Sequence, residues 1–135
     1  MLERIHGSNE ALRGRKVLLV DDDARNIFAL ASLLENQDME VVTATSGRMA
    51  IELLARTPDL SIVLMDIMMP DMDGYETIQQ IREEPRFRNL PIVALTAKAM
   101  MGDREKCLEA GASAYVAKPV NPEQLLALMR VWLFR

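Results

Sequence analysis

Residues 60–74 read LSIVLMDIMMPDMDG. An apolar run rich in Ile, Val and Leu ends abruptly at Asp66, and two further aspartates, Asp71 and Asp73, follow within seven residues. The run is continuous rather than alternating, which predicts a strand buried on both faces, as in a parallel sheet covered by helices. A carboxylate at the end of such a strand is costly unless something pairs with it. Pro70 and Gly74 favour a tight turn and a helix start, so Asp71 and Asp73 are expected to shape the chain rather than to do chemistry. A calcium-loop reading of DMDG fails because its spacing would require an oxygen ligand at Met69.

Working outward, four more runs have the same texture: 16–20 (KVLLV), 39–44 (MEVVTA), 90–95 (LPIVAL) and 114–117 (AYVA). Between them lie segments with helical spacing. The first, 24–36, carries Ile27, Phe28, Ala31 and Leu34 on one stripe, with Asp23 as its expected cap. Residues 47–56 follow a cap at Ser46, 74–84 stop at Pro85, and 99–110 stop at Gly111, a natural residue just past a helix end. The last helix starts Asn121-Pro122-Glu123-Gln124, with Asn as cap and Pro in the first turn. Strand and helix thus alternate five times, predicting an α/β fold with a parallel sheet between two helical layers.

In a parallel sheet the residues after each strand share one edge. Those residues are Asp21, Asp22 and Asp23 after the first run, Asp66 after the third, Thr96 after the fourth and Lys118 after the fifth. Open α/β sheets bind ligands at this carboxyl edge, where strand order reverses. Carboxylates gathered there repel one another unless a cation joins them. An all-oxygen donor set without His or Cys selects a hard divalent ion, with Mg²⁺ the first choice. A lysine and a hydroxyl aimed at the same place suit phosphoryl oxygens, so the set describes phosphoryl transfer onto an aspartate.

Composition removes several alternatives. The 135-residue chain is long enough for one core, and its formal charge of −4 offers no case for nucleic-acid binding. Cys107 is the only cysteine, so no internal disulfide can form; it is expected to be structural. His6 is the only histidine and lies in a polar leader, which leaves no zinc cluster or His-based triad inside the fold. No apolar run reaches membrane-spanning length, so no direct membrane contact is expected, and the expected location is cytoplasmic.

The pattern VLLVDDD, VLMDIMMPDMDG, IVALTA and YVAKP resembles the receiver domain of two-component response regulators, from about residue 14 to 133. The resemblance implies a flavodoxin-like fold, five parallel strands in the order 2-1-3-4-5 with five helices. It implies Asp66 as the acceptor of a phosphoryl group from a phosphohistidine. Asp22 would be a direct Mg²⁺ ligand with Asp21 assisting, and the Met68 backbone carbonyl a further ligand. Lys118 would pair first with Asp66 and then with the phosphoryl group, which Thr96 would also bind. Tyr115 would be an aromatic switch residue coupled to Thr96, and the Lys118-Pro119 bond would be cis. Met68, two residues after the acceptor, lacks a polar side chain to orient water, which predicts slow self-dephosphorylation, with Lys98 a further influence. Met100 and Met101 open a region that receivers often use for partners, with core packing of one of them the alternative reading.

Residues 1–13 read as a leader or the end of a linker, and 14–135 as the receiver. The leader, DDDARNIFAL and LTAKAMMGDREKCLEAGASAYVAKPV are similar to receivers of hybrid sensor histidine kinases, which implies a histidine kinase core or a histidine phosphotransfer domain as partner. A stand-alone single-domain regulator is the alternative, since no DNA-binding helix-turn-helix fits before VWLFR. A phosphohydrolase using Asp66 and an unphosphorylated interaction module are rivals from other classes.

Overall fold

The computed structural model describes residues 11–97 and 101–134, with the side chains of 101–103 excepted. Five strands, β1 (Lys16–Val20), β2 (Glu40–Ala44), β3 (Leu60–Asp66), β4 (Ile92–Thr96) and β5 (Ala114–Ala117), form one sheet in the order β2-β1-β3-β4-β5. Every pairing is parallel. Five helices connect and cover them: α1 (Ala24–Glu35), α2 (Gly47–Arg56), α3 (Gly74–Glu83), α4 (Met101–Ala110) and α5 (Pro122–Leu133). The flavodoxin-like expectation is met in both order and composition.

Strand periodicity explains the two cores. Successive residues of a strand face opposite sides. Leu18, Val20, Val63, Met65, Ile92 and Ala94 therefore pack with Ala50, Leu54, Ile78, Ile81 and Cys107 of α2, α3 and α4. Their neighbours Val17, Leu19, Ile62, Leu64, Val93 and Leu95 pack on the other face with Leu30, Leu34, Leu125 and Met129 of α1 and α5. Leu12, in the stretch read as leader, is completely buried in this second cluster.

Helix starts follow the caps read from the sequence at Asp23, Ser46 and Asn121, and Asp73 caps the helix start read at Gly74. Asp23, Ser46, Asp73 and Asn121 each accept a hydrogen bond from a backbone N–H in the first turn of the following helix, at 2.9–3.1 Å. At the far end of α4, Gly111 takes φ +116°; its N–H reaches Leu108 O, and the Ala112 N–H reaches Cys107 O at 2.9 Å. That pair of bonds ties off the helix in the manner a glycine permits.

Several boundaries differ from expectation for local reasons. Met39 and Leu90 precede rather than join their strands. Met39 N–H is taken by Leu34 O in closing α1, and Leu90 N–H by Phe87 O. After α3 the chain makes a 3₁₀ turn, Pro85–Phe87, because Pro85 cannot continue the α-helical ladder. Asp66 and Thr96 lie inside their strands as the last residues. His6, Lys98, Met100 and the side chain of Met101 lie outside what the structure describes. No described helix is long and apolar enough to cross a membrane.

Candidate functional site

Strand register delivers the polar residues to one place. The ladder runs on past the strands: Asp21 N–H donates to Ala44 O, Ile67 N–H to Leu95 O, and Lys118 N–H to Thr96 O. Asp21, Asp66, Thr96 and Lys118 consequently stand at the carboxyl ends of the neighbouring strands β1, β3, β4 and β5. Strand order reverses between β1 and β3, so Asp21 and Asp66 flank the switch point of the sheet.

One carboxylate oxygen each from Asp21, Asp22 and Asp66 lies within 4.8 Å of the others. Asp21 and Asp66 are buried while Asp22 is exposed. Lys118 Nζ donates to Asp66 Oδ1 at 3.0 Å and stands 3.5 Å from Asp21 Oδ2. Two aspartates also take local backbone donors two residues ahead. Asp23 N–H reaches Asp21 Oδ1 at 2.8 Å, and Met68 N–H reaches Asp66 Oδ1 at 3.3 Å. These backbone donors were missed in reading the sequence, yet an aspartate that bonds the N–H two residues on is a known local habit of Asp.

The electrostatics are unbalanced. Burial pushes the Asp66 carboxyl above its ordinary value; the Lys118 hydrogen bond opposes this and the Asp21 charge adds to it. For Lys118, burial acts to lower the pKa, but the hydrogen bond and charge of Asp66, then the charge of Asp21, outweigh it and the net shift is upward. A single ammonium therefore faces two buried carboxylates. Asp21 Oδ2 is buried and accepts no hydrogen bond. Such an orphaned anionic oxygen beside two further carboxylates fits a hard divalent cation, and Mg²⁺ matches the all-oxygen set.

The remaining predicted residues fall as follows. Thr96 is buried at the end of β4, and Tyr115 is half-buried on β5 opposite Ala94. The Met68 side chain is exposed beside the cluster, and the Lys118-Pro119 bond is cis. Asp71 and Asp73 stay out of the cluster: Asp71 adopts φ +65° in the turn and Asp73 caps α3. Gly74 is required where it stands, since a Cβ there would lie 2.6 Å from both Asp66 O and Ile67 Cα.

Comparison with known proteins agrees with this geometry. A family model described as the response regulator receiver domain matches residues 17–130. The signal transduction histidine-protein kinase BarA of Shigella flexneri is 39% identical over 122 residues, 90% of this chain and 13% of that protein. The chain thus spans about an eighth of that relative. A putative response regulator from Chloroflexus aurantiacus superposes with a TM-score of 0.86 at 31% identity, covering 91% of this chain and 100% of the other. The receiver domain of the sensor histidine kinase PA1611 from Pseudomonas aeruginosa, solved with a magnesium ion coordinated in its active-site cleft, superposes with a TM-score of 0.83. It shares 34% identity and covers 90% of this chain and 99% of the other.

Proposed function

The chain belongs to the response regulator receiver domain family, and on that premise we propose that Asp66 accepts a phosphoryl group from a phosphohistidine with Mg²⁺ bound, switching the domain between signalling states. The observation that carries the proposal is the buried Asp66 carboxylate held 3.0 Å from Lys118 Nζ and within one cluster with Asp21 and Asp22.

Among the described residues, Oδ1 of Asp66 receives both donors, Lys118 and the Met68 N–H. Oδ2 is left as the attacking oxygen. In the transfer the P–N bond of a phosphohistidine protonated on its other ring nitrogen breaks, an O–P bond forms at Asp66, and the histidine leaves as neutral imidazole. Asp21, Asp22, Asp66 and the Met68 carbonyl would hold the Mg²⁺, which supplies positive charge against the carboxylates and the incoming oxygens. Lys118 follows the negative charge from the carboxylate to the phosphoryl group, and the Thr96 hydroxyl at the end of β4 binds a phosphoryl oxygen. Thr96 and Tyr115 lie on paired strands, so a shift of Thr96 toward the phosphoryl group is relayed to Tyr115 as the switch. Burial of Asp66 limits access of water and favours a stored acyl phosphate over turnover.

The partner is a histidine kinase core or a histidine phosphotransfer domain in the cytoplasm. The parent is a hybrid sensor histidine kinase, supported by the match to 13% of BarA; a stand-alone regulator is the second reading. Incubation with acetyl phosphate and Mg²⁺, followed by intact mass, tests the reading. Wild type gains one phosphoryl adduct that requires Mg²⁺, and Asp66→Asn gains none. Steady phosphate release without an adduct would favour a hydrolase, and no adduct with any donor an unphosphorylated module. The exposed Met68 thioether cannot orient water, so the adduct of wild type should outlive that of Met68→Asn in a decay time course.

A further inference from the structure

At the opposite edge of the sheet lies a polar cavity of about 480 Å³. Its lining includes Arg15 ahead of β1, Ser61 in β3, Arg88 and Asn89 ahead of β4, Arg82 of α3 and Ser113 ahead of β5. Ser61 and Asp66 are five residues apart on one strand, so roughly 16 Å separates this cavity from the acidic cluster.

The lining contains three guanidinium groups and no carboxylate. Arg82 is half-buried and locked in place by neutral acceptors alone. Its Nε donates to Gly111 O at 2.8 Å, Nη1 to Phe87 O at 2.5 Å and Arg88 O at 3.3 Å, and Nη2 to Ser113 Oγ at 3.3 Å. None of these partners cancels its charge. Arg15 spends one nitrogen on Leu133 O at 3.3 Å, and neither it nor Arg88 has a carboxylate partner among the described residues. Ser113 Oγ accepts twice, from Arg82 Nη2 and from Ile92 N–H at 3.0 Å. Its own hydroxyl proton is left to donate. The cavity is therefore a concave array of donors carrying up to three positive charges, on a chain whose net charge is −4.

We propose that this arginine-lined cavity binds a small molecule bearing two or more oxyanion groups, phosphates or carboxylates, at a site separate from the acidic cluster. Guanidinium forks match both groups in paired hydrogen bonds. The volume lies in the range of small-ligand sites. The net negative charge of the chain weighs against a nucleic acid as the occupant.

The test titrates pyrophosphate and, separately, citrate into the full chain without Mg²⁺, following backbone amide shifts. Saturable shifts are expected at Asn89 and Ser113 and not at Asp66 or Met68. The stronger of the two ligands assigns the site to phosphates or to carboxylates. The exposed pair Arg15→Gln/Arg88→Gln, which leaves the Arg82 network in place, should weaken binding by about tenfold or more. Asp22→Asn should not weaken it. Shifts that rise linearly without saturating, that centre on Asp66, or that survive Arg15→Gln/Arg88→Gln unchanged would overturn the proposal.

Discussion

The two edges of the sheet solve the problem of buried charge in opposite ways. At the carboxyl edge, Asp21 and Asp66 are buried against each other, share one lysine, and leave Asp21 Oδ2 without a donor. At the amino edge, the half-buried guanidinium of Arg82 is surrounded by carbonyls and a hydroxyl that satisfy its geometry without neutralising it. One edge stores uncompensated negative charge with an oxygen unsatisfied; the other holds a positive charge whose hydrogen bonds are largely made. The first arrangement suits a divalent cation, whereas Arg82 fastens α3, the turn at Phe87 and the entry to β5.

Removing the cation at each edge should separate the two. Lys118→Met leaves two buried carboxylates facing each other, and breaking such a pair costs about 3 kcal/mol. Urea unfolding in metal-free buffer should show that loss, and excess Mg²⁺ should recover much of it. Arg82→Gln strips donors from two or three carbonyls, at an expected cost of about 2 kcal/mol, because each unsatisfied buried acceptor loses its bond. Mg²⁺ should recover none of that loss. If Mg²⁺ rescued both variants equally, the distinction between the edges would fail.

A smaller effect follows from pH. Burial first, with the Asp21 charge adding and Lys118 opposing, holds Asp66 above its ordinary 3.8 in the folded chain. The folded state therefore binds a proton more readily than the unfolded chain between those two values. As pH rises through that window, ionisation of Asp66 erodes the stability of the metal-free protein. Mg²⁺ needs the ionised carboxylate, so its affinity should fall as pH drops through the same window. Thermal melts across pH, with and without Mg²⁺, check both signs.

The carboxyl edge was legible in the sequence because its chemistry is written in side-chain identity. Asp21, Asp22, Asp66, Thr96 and Lys118 each follow an apolar run, and parallel pairing brings such positions together whatever the intervening length. The caps at Asp23, Ser46 and Asn121 were legible for the same reason, and Asp73 as part of the turn that starts a helix. The burial of Asp21 rather than Asp22 was harder to see, since two adjacent aspartates differ only in which way the strand end turns them. The amino edge was not legible. Arg82 bonds to backbone carbonyls at Phe87, Arg88 and Gly111, and any residue supplies a carbonyl. Leu12 looked like leader because a single leucine among Ala11, Arg13 and Gly14 carries no periodicity, yet the second core absorbs it.

Which carboxylate carries the phosphoryl group is the central claim, and chemical trapping reads it directly. After phosphorylation with acetyl phosphate and Mg²⁺, borohydride reduces an aspartyl phosphate to homoserine, and tandem mass spectrometry locates the change. Conversion at position 66 alone is the predicted result. Homoserine at position 21 or 22, or at none of the three, would contradict the assignment.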